Sequence, residues 1–177
     1  APMLNVKGIK FHPRDFGWLG SMASRGTPVV VVRSGSPATT IEDAKKKEIL
    51  IGSSGMDATR AYPLLLNETI GTRFKIIMGY NGGTSELDLA IERGEIHGRG
   101  SADWFTIREH RKPWLEKKLV TIMAQMALKP NPDLKGVPLA IDLATKPEDK
   151  QLMELMFGTA QYFRAFSLAK GVPANRL

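Results

Sequence analysis

The chain has 177 residues, 42% of them hydrophobic and 24% charged. That balance excludes wholesale disorder and suits one ordinary domain or two small ones. Twenty-five basic against eighteen acidic residues leave a net charge of +7, which favours anionic partners without choosing among nucleic acid, membrane surface and small carboxylates. The absence of cysteine excludes disulfides, thiolate metal sites and a cysteine nucleophile.

No apolar run approaches the ~20 residues of a membrane helix; the longest is Val29-Val30-Val31-Val32. No signal peptide begins at Ala1, so export requires that such a segment has already been removed. Residues 1–27 show no clear strand, with Phe16, Trp18 and Leu19 as their expected buried points. Pro28 then opens a β-branched strand buried on both faces. Thr40 reads as the N-cap of a helix over 41–47. Residues 48–51 predict a strand, followed by a helix from Asp57, in which Pro63 is tolerable only near the first turn. Gly71 ends that helix. Residues 74–78 predict a strand, 84–93 a helix stopped by Gly94, and 96–99 a short strand. Residues 104–118 read as helix broken at Pro113, 119–124 as a strand, 129–132 as a loop or domain crossing, and 148–169 as one long amphipathic helix. Strands alternating with helices predict an α/β fold with a mostly parallel sheet.

Two loops share one design, an apolar strand, a Gly/Ser-rich turn and then a helix start. In a parallel sheet both lie at the C-terminal strand edge, where open α/β folds bind ligands. Unpaired N–H groups and the positive helix end favour an anion there. The same loops also read as ordinary strand-to-helix turns. The candidate ligand-binding residues are Ser53, Ser54, Gly55, Met56, Asp57 and Thr59 in the first loop. In the second they are Tyr80, Asn81, Gly82, Gly83, Thr84 and Ser85. Their N–H groups are expected to converge on one cavity.

No cofactor is expected. Gly52-Ser53-Ser54-Gly55 lacks the third glycine of a dinucleotide fingerprint and the lysine of a P-loop. Met56 replaces the last glycine of a nucleophile elbow, and His12, His97 and His110 have no evident orienting partner, so no catalytic residue is named. Neither His97 nor His110 belongs to a metal-ligand cluster. The basic stretch Arg108, His110, Arg111, Lys112, Lys117 and Lys118, interleaved with Trp104, Phe105 and Trp114, reads as a solvated helix face over buried aromatics. No nucleic-acid partner is expected.

The segments Thr40-Ile41-Glu42-Asp43-Ala44, Gly52-Ser53-Ser54-Gly55, Gly71-Thr72-Arg73-Phe74-Lys75, Gly79-Tyr80-Asn81-Gly82 and Leu89-Ala90-Ile91-Glu92-Arg93-Gly94-Glu95 together carry a resemblance. In order and spacing the chain resembles the tripartite tricarboxylate transporter substrate-binding receptors, the Bug family of extracytoplasmic solute receptors. Phe16-Gly17-Trp18-Leu19-Gly20 is similar to their "WIG" segment and Gly171-Val172-Pro173 to their late "GVP". The resemblance implies a type II periplasmic-binding-protein fold, two α/β domains around a cleft. It implies a periplasmic receptor that binds a small carboxylate and hands it to membrane transporter subunits. Residues 28–128 would form the second, ligand-binding domain. Residues 1–27 and 129–177 would supply part of the first domain, together with the crossing. The family's first strand and ligand loop, and its C-terminal end, would lie outside this chain. His97 stands where an acidic residue is usual, and Asp57 where a small one is.

With the first domain incomplete, Phe16, Trp18, Leu19, Leu152, Leu155, Met156 and Phe163 would lack a partner. A homo-oligomer through the terminal segments is then expected, by exchange of the 148–169 helix. Two other functions compete with the receptor. One is an intracellular ligand-sensing regulatory domain, and the other a small serine hydrolase using Ser53 or Ser54.

Overall fold

Val29, Val30, Val31 and Val32 are wholly buried, and they show how the chain is layered. In the computed structural model, which describes residues 12–21, 26–162, 165–169 and 171–173, Val30 and Val32 face one core and Val29 and Val31 another. Alternate side chains of a strand point to opposite sides, so an unbroken apolar run is what a strand covered on both faces requires.

The chain divides into two units, 26–160 and the two terminal segments 1–25 and 161–177. In the terminal unit β1 (Gly17–Ser21) pairs antiparallel with β7 (Ala165–Leu168). The N-terminal segment therefore does contain a strand. Trp18 and Leu19, expected to be buried, are 58% and 55% exposed.

The larger unit contains β2 (Pro28–Arg33), α1 (Ile41–Ala44), β3 (Ile49–Gly52), α2 (Ala58–Ile70), β4 (Phe74–Ile77) and α3 (Thr84–Arg93). It continues through β5 (Gly98–Asp103), α4 (Trp104–His110), α5 (Lys112–Glu116), β6 (Val120–Gln125) and α6 (Pro147–Gly158). The sheet order is β4-β3-β5-β2-β6. β3 runs parallel to β4 and β5, but β2 is antiparallel to both β5 and β6. The sheet is thus mixed, not mostly parallel. An all-valine strand buried on both faces carries no residue pattern that reveals its direction.

One core joins α1, α2 and α6 to the sheet through Ile41, Leu66, Met153 and Phe157. The other joins α3, α4 and α5 through Leu87, Ile91, Ile107 and Trp114. Thr40 caps α1 by accepting the Asp43 N–H, and α2 and α3 stop at Gly71 and Gly94 as expected. Pro63 lies inside α2, beyond its first turn. Its ring packs on β5, where a side chain on Gly100 would collide with it. The helix over 104–118 breaks at Arg111, not at Pro113. Pro113 sits in the first turn of α5, where its missing N–H costs nothing.

The helix expected over 148–169 ends at Gly158. Buried Met153 and Phe157 anchor it, with Met156 packed partly buried against the same core, while Leu152 and Leu155 are exposed. The helix is thus shorter than the apolar periodicity of the sequence suggests. Phe163 lies outside the described residues.

His97 precedes β5 and ties it to β3, its Nδ1 accepting the Leu50 N–H at 3.0 Å. Burial, and then the charge of Arg33, lower its pKa. A depressed pKa favours the neutral ring in the folded state. The linked stability is present above the ordinary histidine range, near 6.5, and is lost as pH falls through the lower folded value. Urea midpoints should fall between pH 7.5 and pH 5, and His97→Gln should flatten that fall; an equal fall in the variant would contradict the assignment.

Candidate functional site

β3 and β4 end level, with Gly52 opposite Ile77. The loops that follow them therefore leave from one edge of the sheet. The Ser53 N–H donates to the Ile77 carbonyl at 2.9 Å. The Tyr80 ring returns to the end of β3, 3.6 Å from where a Cβ on Gly52 would stand. All twelve candidate residues thus lie on two adjoining loops or in the first turns of the helices that follow them. Within the larger unit these loops form an open ledge: Met56 is 85% exposed, and Asp57, Asn81, Gly82, Thr84 and Ser85 are exposed.

The first loop spends its polar groups on itself. Ser53 and Thr59 are buried, their hydroxyls 3.1 Å apart. Ser53 also donates to the Gly55 carbonyl at 2.9 Å, and the Ser54 N–H donates to Thr59 Oγ1 at 3.0 Å. Asp57 caps α2, its Oδ1 accepting the Thr59 N–H at 2.9 Å and its Oδ2 the Ser54 hydroxyl at 2.9 Å. Burial alone would raise the Asp57 pKa. The hydrogen bonds from Thr59, Ser54 and the backbone outweigh it, and the carboxyl lies below its usual range. The α2 N-terminus therefore already holds an anion.

Asp57→Ala should cost about 1 kcal/mol at neutral pH through loss of the cap. Because the folded pKa is depressed, this contribution is present above the ordinary carboxyl value of 3.8 and disappears as pH falls through the folded one. Urea titration of parent and variant at pH 7 and pH 2.5 checks this; an equal difference at both would contradict it.

The second loop is the open one. Gly83 begins α3 with no side-chain cap, and the N–H groups of Thr84 and Ser85, in the first turn, have no intrahelical acceptor. Glu86 lies beside them, its Oε2 accepting the Gly82 N–H at 2.6 Å. The sequence reading missed Glu86, although a glutamate at the third helical position is the spacing of a capping box. The Tyr80 hydroxyl has no hydrogen-bond partner among the described residues. Burial, and then the charges of Glu95 and Glu86, raise its pKa, so it stays a neutral donor.

The edge rests on a buried ion cluster that the sequence did not reveal. Arg99 on β5, in register with Gly52, places Nε 2.9 Å from Asp88 Oδ1. Arg111 Nε is 2.8 Å from Asp88 Oδ2. In the basic stretch Arg108 pairs with Glu109 and Asp133, while His110, Lys112, Lys117 and Lys118 are exposed. Trp104 and Trp114 are buried beneath it while Phe105 is exposed. No histidine hydrogen-bonds Ser53 or Ser54 among the described residues. Among those residues no group of three acidic or histidine side chains could hold a metal, and no helix is long and apolar enough to cross a membrane.

No protein-family model matches the sequence, and no curated protein matches it. Solved structures do. The R. palustris protein Rpa4515, solved with adipate, superposes with a TM-score of 0.63 at 20% identity, over 96% of this chain and 53% of that one. A TctC solute binding protein from Polaromonas, solved without ligand, gives 0.57 at 14% identity, over 96% of this chain and 67% of that one. The chain thus spans about half the length of Rpa4515. It has an α/β fold of the type II periplasmic-binding-protein kind, shared with this TctC solute-binding protein.

Proposed function

We propose that the chain is part of an extracytoplasmic solute receptor, not an enzyme, that binds a small carboxylate and presents it to a tripartite tricarboxylate-type transporter. The observation that carries this reading is the uncapped α3 N-terminus at the edge of the sheet where β3 and β4 end. Its free N–H groups and positive dipole end offer a carboxylate several donors without a full charge. The adipate in Rpa4515, on the same fold, supports this ligand class.

In this reading residues 28–128 belong to the receptor's second domain and the terminal strand pair to its first. The hydroxyls of Ser53 and Thr59 shape the first loop, while the backbone of Gly83, Thr84 and Ser85, with the Tyr80 hydroxyl, meets the ligand. Exposed Trp18 and Leu19 in one unit, and Leu152 and Leu155 in the other, leave apolar surface for a second copy of the chain. No contact of Ser53 or Ser54 favours the hydrolase.

A thermal-shift screen of C4 to C8 dicarboxylates on the full-length gene product tests the proposal. At least one acid should raise the melting temperature in a concentration-dependent way, by about 2.7 kcal/mol of added stability at a hundred times its Kd. No shift with any acid at 10 mM would overturn it.

A further inference from the structure

At the other end of the sheet, where β2 ends and β5 begins, the larger unit holds a cavity of about 310 Å3. Its walls include Arg33, Ile91, Glu92, Trp114, Lys118 and Leu119. Arg33 is the last residue of β2. Its Nε is buried without a hydrogen-bond partner, and among the described residues its guanidinium makes no hydrogen bond or ion pair. The Nε–H is one of five guanidinium donors in a planar fork, and folded proteins rarely leave a buried donor unused. The guanidinium lies close to the backbone turn at Gly94, where a Cβ would stand 3.3 Å from Nη1.

Lys118 brings a second cation. It follows α5 in the left-handed region, φ 51°, and its carbonyl accepts the Ser34 hydroxyl at 2.6 Å. The Ser34 N–H donates to the Leu119 carbonyl at 2.9 Å, so the two sides of the mouth are joined by hydrogen bonds. The floor is apolar: Ile91 and Trp114 are buried, and Leu119 stands partly exposed at the lip. The one carboxylate on the wall, Glu92, accepts the Trp114 indole N–H at 2.7 Å.

We propose that this cavity is a second ligand site, distinct from the loops, that takes a small organic monocarboxylate with a flat apolar body. A guanidinium fork matches a carboxylate with two parallel hydrogen bonds. The apolar floor takes the body of the ligand. Glu92 opposes a second negative charge, which disfavours dianions. The volume equals about ten waters at ~30 Å3 each, which is room for one ring and its carboxylate.

Titration of the 15N-labelled full-length chain with benzoate tests this. The amide signals of Ser34, Gly35, Lys118 and Leu119 should move, and those of the ligand loops should stay. Benzamide, the neutral isostere, and inorganic phosphate should each bind about tenfold more weakly or less, since one removes the charge-assisted pair and the other the apolar body. Arg33→Gln should weaken benzoate about tenfold. Lys118→Gly removes the second charge and relieves a left-handed residue. It should weaken benzoate about threefold with an unchanged or higher melting temperature, so its loss of binding is not unfolding. Shifts confined to residues 53–59 and 81–85, benzamide or phosphate binding as tightly as benzoate, or unchanged affinity in either variant would overturn the proposal. The ledge reading stands or falls separately, because its residues lie at the opposite edge.

Discussion

Asp88→Ala should lower the unfolding free energy by about 3–5 kcal/mol, the largest effect expected of a single charged residue in this chain. Asp88 and Arg99 expose only 6% and 3% of their side chains, and Arg111 also pairs with Asp88 from the α4–α5 break. Burial lowers the Arg99 pKa, and Asp88 is the group that most opposes that shift. Removing the carboxylate leaves a guanidinium desolvated and uncompensated, which is much costlier than never having the pair. The double variant Asp88→Leu with Arg99→Met should therefore be more stable than Asp88→Ala alone. Urea unfolding of the three proteins at neutral pH decides this. A loss below about 1 kcal/mol for Asp88→Ala would mean that water reaches the cluster.

Phe157→Ala should cost about 3–5 kcal/mol. The ring is 1% exposed and meets Tyr62 edge-on, with centroids 5.5 Å apart and planes at 82°. It shares a core with Val30, Ile51 and Leu66 of the sheet and α2, so truncation should leave a cavity in the larger unit itself. A thermal melt should show one transition displaced by on the order of 10 °C. A small effect would mean that α6 docks loosely and contributes little to that core.

Both residues show what the sequence could and could not disclose. The valine strand, the Thr40 cap and the Gly71 and Gly94 stops were legible because each depends on local chemistry. Strand direction was not legible, because a strand buried on both faces looks alike whichever way it runs. The Asp88–Arg99–Arg111 cluster was hidden for another reason. Its members come from α3, β5 and the α4–α5 break, and nothing local marks an aspartate in an amphipathic helix as buried. The overextended 148–169 helix arose from apolar residues such as Phe163, which continue the helical spacing past Gly158, where α6 ends. At the candidate site the two loops and their common edge followed from the strand–turn–helix pattern. What the hydroxyls do there did not, since Ser53 and Thr59 turn inward and only contacts within the folded loop reveal that.

In the proposed receptor the uncapped start of α3 receives a ligand carboxylate. Amide chemical shifts of the 15N-labelled full-length gene product, titrated with adipate and with the best acid from the screen, test it most directly. Saturable shifts are expected at Gly83, Thr84 and Ser85, with smaller ones at Met56 and Ala58. The shifts should be lost in Thr84→Pro, which removes one donor at a helix position where proline is tolerated. Saturable binding that leaves the α3 start unmoved, or that Thr84→Pro leaves intact, would contradict it.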